Sequence, residues 1–127
     1  MNTTRVSCPK CFANMEPVLL LGMTIQRCSS GCKGLWFRPE DLAILRQDKW
    51  LAGHVPDTGS VRLGKLYNRI RDIRCPQCKS EMNKESDTDQ PHIIYESCPN
   101  GHGVFLDAGE FTDLVHKTFW DRFKSAR

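Results

Sequence analysis

The stretch that decides the fold is CPNGHGVFLDAGEF, residues 98–111, because an earlier part of the chain repeats its pattern. Residues 28–42, CSSGCKGLWFRPEDL, also place two potential metal ligands four positions apart, ahead of a glycine, an aliphatic residue and an aromatic residue. A CPxC pair precedes each stretch, Cys8–Cys11 in the first case and Cys75–Cys78 in the second. The chain therefore contains a tandem repeat of two copies.

The two copies together hold eight potential zinc ligands. Structural zinc is bound tetrahedrally by four side chains, and a C-x-x-C turn can direct both of its sulfurs at one ion. Proline suits such a turn because its ring fixes φ, and we expect Gly31 and Gly101 to adopt positive φ before the last ligand. The sequence predicts two zinc ions per chain. The first ligand set is Cys8, Cys11, Cys28 and Cys32, and the second is Cys75, Cys78, Cys98 and His102.

His102 stands where the first copy has Cys32. A histidine outside such a pattern, as at positions 54, 92 and 116, is by default a surface or core residue. His102 differs because it completes a tetrad that would otherwise lack one member, and three cysteines with one histidine are a common structural zinc set. We therefore predict that His102 binds zinc.

A cross-braced arrangement is the alternative, in which Cys8 and Cys11 share an ion with Cys75 and Cys78. Its loops would exceed 60 residues. Loop-closure entropy grows slowly with length, so the extra cost is only about 1 kcal/mol per site. The repeat itself, and not this small cost, favours one ion within each copy.

Cysteine content and the lack of apolar segments bear on the compartment. Seven cysteines in 127 residues are many, and the N-terminal residues lack the apolar region of a secretory signal. The longest apolar run, Val18–Met23, is far shorter than the ~20 residues of a membrane-spanning helix. We expect a cytoplasmic protein without membrane contact, in which clustered cysteines bind metal and do not form disulfides.

Short strands are expected between the ligand pairs. Residues 16–28, EPVLLLGMTIQRC, predict a hairpin that turns near Gly22, and residues 92–98, HIIYESC, predict a strand in the second copy. Residues 35–38 and 104–106 predict a further strand beside each zinc. The expected fold is a small zinc-stabilised α+β fold of two tandem zinc ribbons, each followed by a helix.

Helix signals follow each ribbon. Asp107 and Glu110 have the spacing of an N-cap and an N3 acid, and Pro39 suits a first-turn position. Between the copies, GHVPDTG is read as a linker, after which Ser60 caps a helix through about Ile73. The predicted organisation is residues 1–52 as the first ribbon with its helix, 53–74 as linker and basic helix, and 75–127 as the second ribbon with a C-terminal helix.

The chain resembles the zinc-ribbon family named after the N-terminal ribbon of transcription factor IIB. That family has a CPxC knuckle, a hairpin, a second knuckle and a Gly–aliphatic–Trp–Leu–Asp–x–Gly–Glu–Leu tail. The second copy follows this pattern with Phe105 and Phe111 in place of Trp and Leu, whereas the first keeps Trp36 and Leu42 but has Arg38 in place of Asp. The resemblance implies zinc binding and contact with transcription machinery such as RNA polymerase.

Positive charge is concentrated between the copies. Residues 57–74 hold five Lys/Arg against two Asp/Glu, whereas residues 75–127 hold six against nine. Such cations can neutralise phosphates, or they can simply cover a solvated helix face. Near the first site, Lys10, Arg27 and Lys33 can offset thiolate charge. The candidate nucleic-acid-binding residues are Arg62, Lys65, Arg69, Arg71 and Arg74.

The ligand sets also bear on the class of protein. Catalytic zinc keeps an open coordination position, whereas protein side chains fill both tetrads here, so we expect no enzyme and no small-molecule substrate. The sequence favours a non-catalytic adaptor whose partner is nucleic acid or a protein of the transcription machinery. A protein-interaction module unrelated to nucleic acid and a zinc-thiolate redox sensor remain open. The spare aromatic residues are expected to pack in the core; they are Trp50, Phe119, Trp120 and Phe123.

Overall fold

The computed structural model describes residues 6–57, 59–67, 73–91 and 93–115. Within them, six strands form one antiparallel sheet in the order β1-β2-β3-β6-β5-β4. The first copy contributes β1 (Glu16–Leu20), β2 (Met23–Arg27) and β3 (Leu35–Phe37), and the second contributes β4 (Asn83–Ser86), β5 (Ile94–Ser97) and β6 (Val104–Leu106). Each copy thus provides one half of the sheet. If each strand is exchanged for the equivalent strand of the other copy, the strand order is the same when read from the opposite edge. The two halves are related by an approximate twofold axis, and the expected α+β class is confirmed.

The hairpin of the first copy forms as predicted. β1 and β2 pair from Glu16 opposite Arg27 to Leu20 opposite Met23, which leaves a two-residue turn. The turn residues, Leu21 and Gly22, have φ of 45° and 84°. Positive φ at both positions is typical of the type I′ turns that match strand twist in such hairpins.

The two copies meet at β3 and β6. These strands pair with Leu35 opposite Leu106, Trp36 opposite Phe105 and Phe37 opposite Val104. Trp36 and Phe105 are equivalent positions of the repeat, so the approximate twofold axis passes between them. The sequence predicted both strands but not their pairing, which joins the two ribbons in one sheet.

Alternation along β3 and β6 divides the buried side chains into two clusters. Phe37 and Leu106 lie in a cluster with apolar residues of the helices, and the Phe37 ring stacks on Phe111 with centroids 5.1 Å apart. Trp36 and Phe105 lie in the other cluster, with the cysteines of both ligand sets. Because successive strand residues point to opposite faces, helices cover one face of the sheet and zinc knuckles the other.

Helix α1 (Pro39–Gln47) follows β3 and begins with proline at its first turn, as predicted. Its N-cap residue, Arg38, makes no side-chain cap hydrogen bond. A short helix α2 (Lys49–Ala52) comes next, and the Asp48 carboxylate caps it by accepting from the Leu51 N–H at 3.0 Å. In the second copy, residues 110–115 are helical.

The segment predicted as a linker packs against the second copy. Val55 is buried in the core. The Asp57 carboxylate accepts from the backbone N–H of Gly109 at 2.9 Å and of Thr112 at 3.0 Å. Asp57 therefore caps the helix of the second copy from about 50 residues upstream, which satisfies N–H groups that a helix start leaves without partners.

Helix α3 (Val61–Tyr67) begins where the sequence predicted, with the Ser60 hydroxyl accepting from the Leu63 N–H at 3.0 Å. Residues 68–72, over which the helix was predicted to continue, lie outside the described ranges. Ile73 itself is non-helical, and its carbonyl accepts from the Met82 N–H at 3.0 Å. Its side chain is buried beside the zinc ligands. Leu66, on the same helix, is exposed.

Several predictions concern residues outside the described ranges. They include the histidines 92 and 116, the C-terminal helix beyond residue 115, and the aromatic residues 119, 120 and 123. Trp50 is described, and the expectation that it packs in the core is wrong, since it is mostly exposed with its ring against His54. Across the described ranges, no helix has the length and apolar character to span a bilayer.

Candidate metal centres

The first centre gathers the four cysteines of the first copy. The sulfurs of Cys8 and Cys32 lie 3.5 Å apart, those of Cys11 and Cys28 lie 3.3 Å apart, and all four lie within 4.8 Å of one another. Tetrahedral zinc with Zn–S bonds of about 2.3 Å separates its sulfurs by about 3.8 Å. A disulfide would require about 2.05 Å. All seven cysteines are free thiols, and this set suits one zinc ion.

The second centre gathers the ligands of the second copy and includes His102. Its Nδ1 atom lies 3.5 Å from the sulfur of Cys98 and 3.9 Å from that of Cys75, and the sulfurs of Cys78 and Cys98 are 3.6 Å apart. Zinc bound by sulfur and nitrogen would separate the two by about 3.6 Å. The donor set and its spacing suit a second zinc ion. Each cluster comes from one copy, so the cross-braced alternative is wrong.

Equivalent backbone turns hold the two CPxC knuckles. The N–H of Phe12 donates to the carbonyl of Cys8 at 2.8 Å, and the N–H of Lys79 donates to that of Cys75 at 2.9 Å. Phe12 and Lys79 both have positive φ, 64° and 65°. Left-handed backbone at the residue after the knuckle is therefore part of this turn in both copies.

The second knuckles differ between the copies. Gly101 has φ of 80°, as predicted, but the positive φ of the first copy falls on Lys33, at 61°, and not on Gly31. Lys33 is the extra residue between the last ligand and the glycine in the first copy, so its left-handed backbone accommodates the insertion. Gly31 is needed for space, because a Cβ atom there would lie 2.7 Å from the Cys11 sulfur.

Polar donors surround the second centre. The backbone N–H groups of Gln77 and Asn100 donate to the sulfurs of Cys75 and Cys98 at 3.4 and 3.3 Å. The Asn100 amide nitrogen donates to the Cys78 sulfur at 3.4 Å. Donors of this kind favour the thiolate form that binds metal and orient the ligands.

Crowding of the sulfurs alters their acidity in the absence of a cation. The hydrogen bond with Cys32 lowers the pKa of Cys8 to about 5, and the same hydrogen bond, with burial, raises the pKa of Cys32 far above its usual range. Hydrogen bonds from Ser80 and Asn100 lower the pKa of Cys78 to about 5. Full ionisation of either set therefore needs a neighbouring positive charge, which a divalent ion provides.

Lys10, inside the first knuckle, has carboxylate partners in the second copy. Its ammonium lies 2.7 Å from Asp107 Oδ2 and 3.4 Å from Glu96 Oε2, and it donates to the Tyr67 carbonyl at 3.0 Å. The side chains of Lys10 and Asp107 are fully buried. Lys10 and Arg27 were both expected to offset thiolate charge, but each pairs with carboxylates instead. Arg27 lies 2.6 Å from the carboxylate of Glu16.

The predicted capping pair of the second copy is only half formed. The Glu110 carboxylate reaches back to accept from the Asp107 N–H at 3.0 Å, whereas the Asp107 carboxylate faces Lys10. Burial raises the pKa of Asp107 to about 6, although Lys10 opposes the shift. Burial and the charge of Asp107 raise the pKa of Glu110 to about 8.

The same contacts explain why the first copy departs from the family pattern at Arg38. Arg38 is equivalent to Asp107, and Gln77 is equivalent to Lys10. Gln77 is neutral and exposed, so within the described part of the chain Arg38 faces no counterpart of the buried Lys10. The Arg38 side chain is 58% exposed and pairs with Asp41 at 3.2 Å.

The glycine after each second knuckle makes room for the aromatic residue of the other copy. A Cβ atom on Gly34 would overlap the ring of Phe105, and one on Gly103 would overlap the ring of Trp36. The glycine–aliphatic–aromatic pattern occurs in both copies, which indicates a shared structural role, but it does not predict that each glycine contacts the aromatic residue of the other copy.

Two of the candidate nucleic-acid-binding residues can be placed. Arg62 is exposed on α3, and Arg74 is exposed beside the second knuckle, where its guanidinium donates to the Lys79 carbonyl at 3.0 Å. Arg69, Arg71 and the side chain of Lys65 lie outside the described part of the chain.

The knuckles, hairpins and tetrads define a zinc-ribbon domain. Residues 7–48 match the family model of the transcription factor zinc-fingers of the TFIIB zinc-ribbon type, which covers the first copy. No curated protein and no solved structure matches the chain.

Proposed function

We propose that the protein is a non-catalytic, zinc-stabilised adaptor that binds nucleic acid in transcription. The observation that carries this proposal is the match of residues 7–48 to transcription factor zinc-fingers, which supports a role among transcription components. The second copy acts as another ribbon of the same type, since its ligand spacing, hairpin and tail parallel those of the first.

A structural role for the two metals is supported by the ligand sets. Each tetrad provides four protein donors at distances that suit a tetrahedral ion, and the sulfurs are mostly buried. A zinc ion held this way has no position for a water or substrate, and several thiolates reduce its Lewis acidity. The metals therefore maintain the fold, and function belongs to the surface that they hold in place.

Nucleic acid as the partner is supported by exposed cations. Arg62, Arg74 and Lys79 are exposed and form no ion pair with an acid among the described residues. Cations without acidic partners are available to contact phosphates.

The test is binding of the zinc-loaded protein to labelled DNA and RNA over a range of salt concentrations. We expect affinity to fall with salt and the dependence to flatten when Arg62, Lys65 and Arg69 are changed to glutamine together. Absence of binding at low salt would remove nucleic acid as the partner. Native mass spectrometry of the variant controls for loss of zinc.

A protein partner is the second candidate, and the tip of the first hairpin favours it. Leu19, which lies in β1 near the hairpin turn, is 79% exposed. An exposed apolar side chain at this position is available to contact an apolar patch on a partner protein. Capture of RNA polymerase subunits after nuclease treatment, compared between wild type and Leu19→Asn, tests this candidate.

A further inference from the structure

We propose that the cleft between the two CPxC knuckles binds single-stranded nucleic acid, with one base stacked on Phe12 and adjacent phosphates contacting Arg74 and Lys79. This inference rests on the proposed function and names the surface that performs it. The cleft has a volume of about 390 Å³ and is lined by both knuckles. Ligand pockets commonly measure ~300–1,000 Å³.

Phe12 is the first reason to regard the cleft as a binding surface. Its side chain is 78% exposed and its φ is 64°. A bulky residue in left-handed backbone is strained, and here the ring gains little packing in return. Asparagine or glycine would suit the same turn better, so the aromatic ring has no structural reason to be at this position.

The approximate twofold axis makes the two walls of the cleft comparable, and they differ in chemistry. The position of Phe12 on one wall is equivalent to that of Lys79 on the other, and Ser7 is equivalent to Arg74. One wall therefore presents the aromatic ring of Phe12, and the opposite wall presents the cations of Arg74 and Lys79.

The charge of the cleft selects an anionic occupant. Among the described residues that line it, none is Asp or Glu, and the ammonium of the third cation, Lys10, is occupied by buried carboxylates. The Arg74 guanidinium donates through one nitrogen to the Lys79 carbonyl at 3.0 Å, which holds it beside Lys79 and leaves its other N–H groups available to an incoming group. Arginine held this way suits bidentate contact with a phosphate.

Single-stranded nucleic acid matches this surface better than an acidic peptide does. Every base has a flat face that stacks on an aromatic ring, and its own phosphate lies one sugar away. A carboxylate peptide would use the two cations but leave the ring without a flat partner. Duplex DNA keeps its bases stacked inside the helix, so it cannot place one on Phe12.

The experiment measures anisotropy of labelled oligo(dT) and oligo(U) of about eight nucleotides, a length within the range of single-strand sites. The full zinc-loaded chain is titrated at several salt concentrations. Phe12→Asn removes the ring and keeps a residue that tolerates positive φ. Leu21→Asn is the matched control, because Leu21 is also apolar, 75% exposed and left-handed but lies at the hairpin tip.

We expect Phe12→Asn to weaken binding at least about fivefold, the lower limit for loss of one stacked base, without changing the salt dependence. Arg74→Gln and Lys79→Asn should each reduce the slope of log affinity against log salt by about 0.7, the value for one phosphate of a single strand. Leu21→Asn should bind as wild type does. All variants should retain two zinc ions by native mass spectrometry, and Phe12→Asn should be at least as stable as wild type.

Three results would overturn the inference. If wild type binds and Phe12→Asn binds equally well, while the variant with Arg62, Lys65 and Arg69 all changed to glutamine loses affinity, the inference about the cleft is wrong and the proposed function stands. If wild type binds neither oligonucleotide at low salt, both fail. If poly-glutamate of equal charge displaces the oligonucleotide and its own binding depends on Phe12, the occupant is an acidic peptide.

Discussion

Trp36 lies directly opposite Phe105 in the β3–β6 pair, and each ring occupies space left open by the glycine of the other copy. Gly34 accommodates Phe105, and Gly103 accommodates Trp36. The contact is reciprocal, as at the interface of a symmetric dimer, but it joins two halves of one chain. Neither ribbon has a complete apolar core without the other, because a unit of about 40 residues buries too little surface by itself.

Replacing either glycine should therefore weaken the junction. In Gly34→Ala the new methyl group would overlap the Phe105 ring, which is fully buried and has little room to move. Overpacking of this kind costs about 2 kcal/mol. Urea unfolding of the zinc-loaded protein measures the loss, and we expect Gly103→Ala to behave in the same way.

Gly53→Ala is the matched control for this prediction. A Cβ atom at Gly53 would approach no atom outside its chain neighbours closer than 3.4 Å, so the change should alter stability by less than about 0.5 kcal/mol. Combining Gly34→Ala with Phe105→Leu should recover part of the loss. Unchanged stability in both glycine variants would show that the rings do not occupy these positions.

The zinc assignment of His102 predicts a change in metal stoichiometry. His102→Ala should reduce the zinc content from two ions towards one, because the second tetrad then has only three ligands. His102→Cys should retain two ions, since it converts the set to four cysteines. His54→Ala is the control, because His54 is exposed beside Trp50 and should leave both ions bound. Native mass spectrometry distinguishes these results, and two ions in His102→Ala would exclude it as a ligand.

The buried Lys10 should stabilise the protein mainly by pairing with carboxylates. Lys10→Met would leave the fully buried Asp107 carboxyl without its ion-pair partner, and the pKa of Asp107, which Lys10 holds down, would rise further. Removal of one member of such a pair costs about 3–5 kcal/mol. Urea unfolding should show this loss, and Lys10→Met with Asp107→Asn should recover most of it.

An exposed ion pair provides the control for Lys10. Glu16 and Arg27 are 2.6 Å apart but accessible to water, so Glu16→Gln should cost less than about 1 kcal/mol. A loss in Lys10→Met no larger than that of Glu16→Gln would contradict the assigned role. Zinc content should be measured in parallel, because Lys10 lies between two ligands of the first tetrad.

Ligand spacing made the metal centres predictable from sequence. A CPxC turn is local, so the residues between Cys8 and Cys11 determine where both sulfurs point, and the hairpin returns the second pair to the same place. The hairpin turn at Gly22 and the proline at the start of α1 were likewise visible, because each depends on a few adjacent residues.

The junction between the copies could not be predicted in the same way. β3 and β6 are three residues long and pair across about 70 positions, so their register depends on packing of Trp36 and Phe105 and not on local propensity. Lys10 and Asp107 are 97 positions apart, and Asp57 caps a helix about 50 residues later. From sequence alone, a basic residue beside thiolates indicates local charge compensation, because the carboxylate partners of Lys10 come from another part of the chain.

Glu110 should give the folded protein a dependence on pH between about 6 and 9. Its pKa is raised from about 4.5 to about 8 by burial and by the neighbouring charges of Asp107 and Glu96, with Lys10 opposing. Because the folded pKa exceeds the unfolded value, the folded state binds more protons in this window, so stability falls as pH rises. The loss from pH 6 to pH 9 should be about 3 kcal/mol. Glu110→Gln keeps an oxygen to accept from the Asp107 N–H and cannot ionise, so its stability should vary less with pH and exceed that of wild type at pH 9.

Urea unfolding of both zinc-loaded proteins at each pH measures the difference in stability. Asp113→Asn is the control on the same helix. Equal slopes of stability against pH for wild type and Glu110→Gln would show that Glu110 is already charged at pH 6.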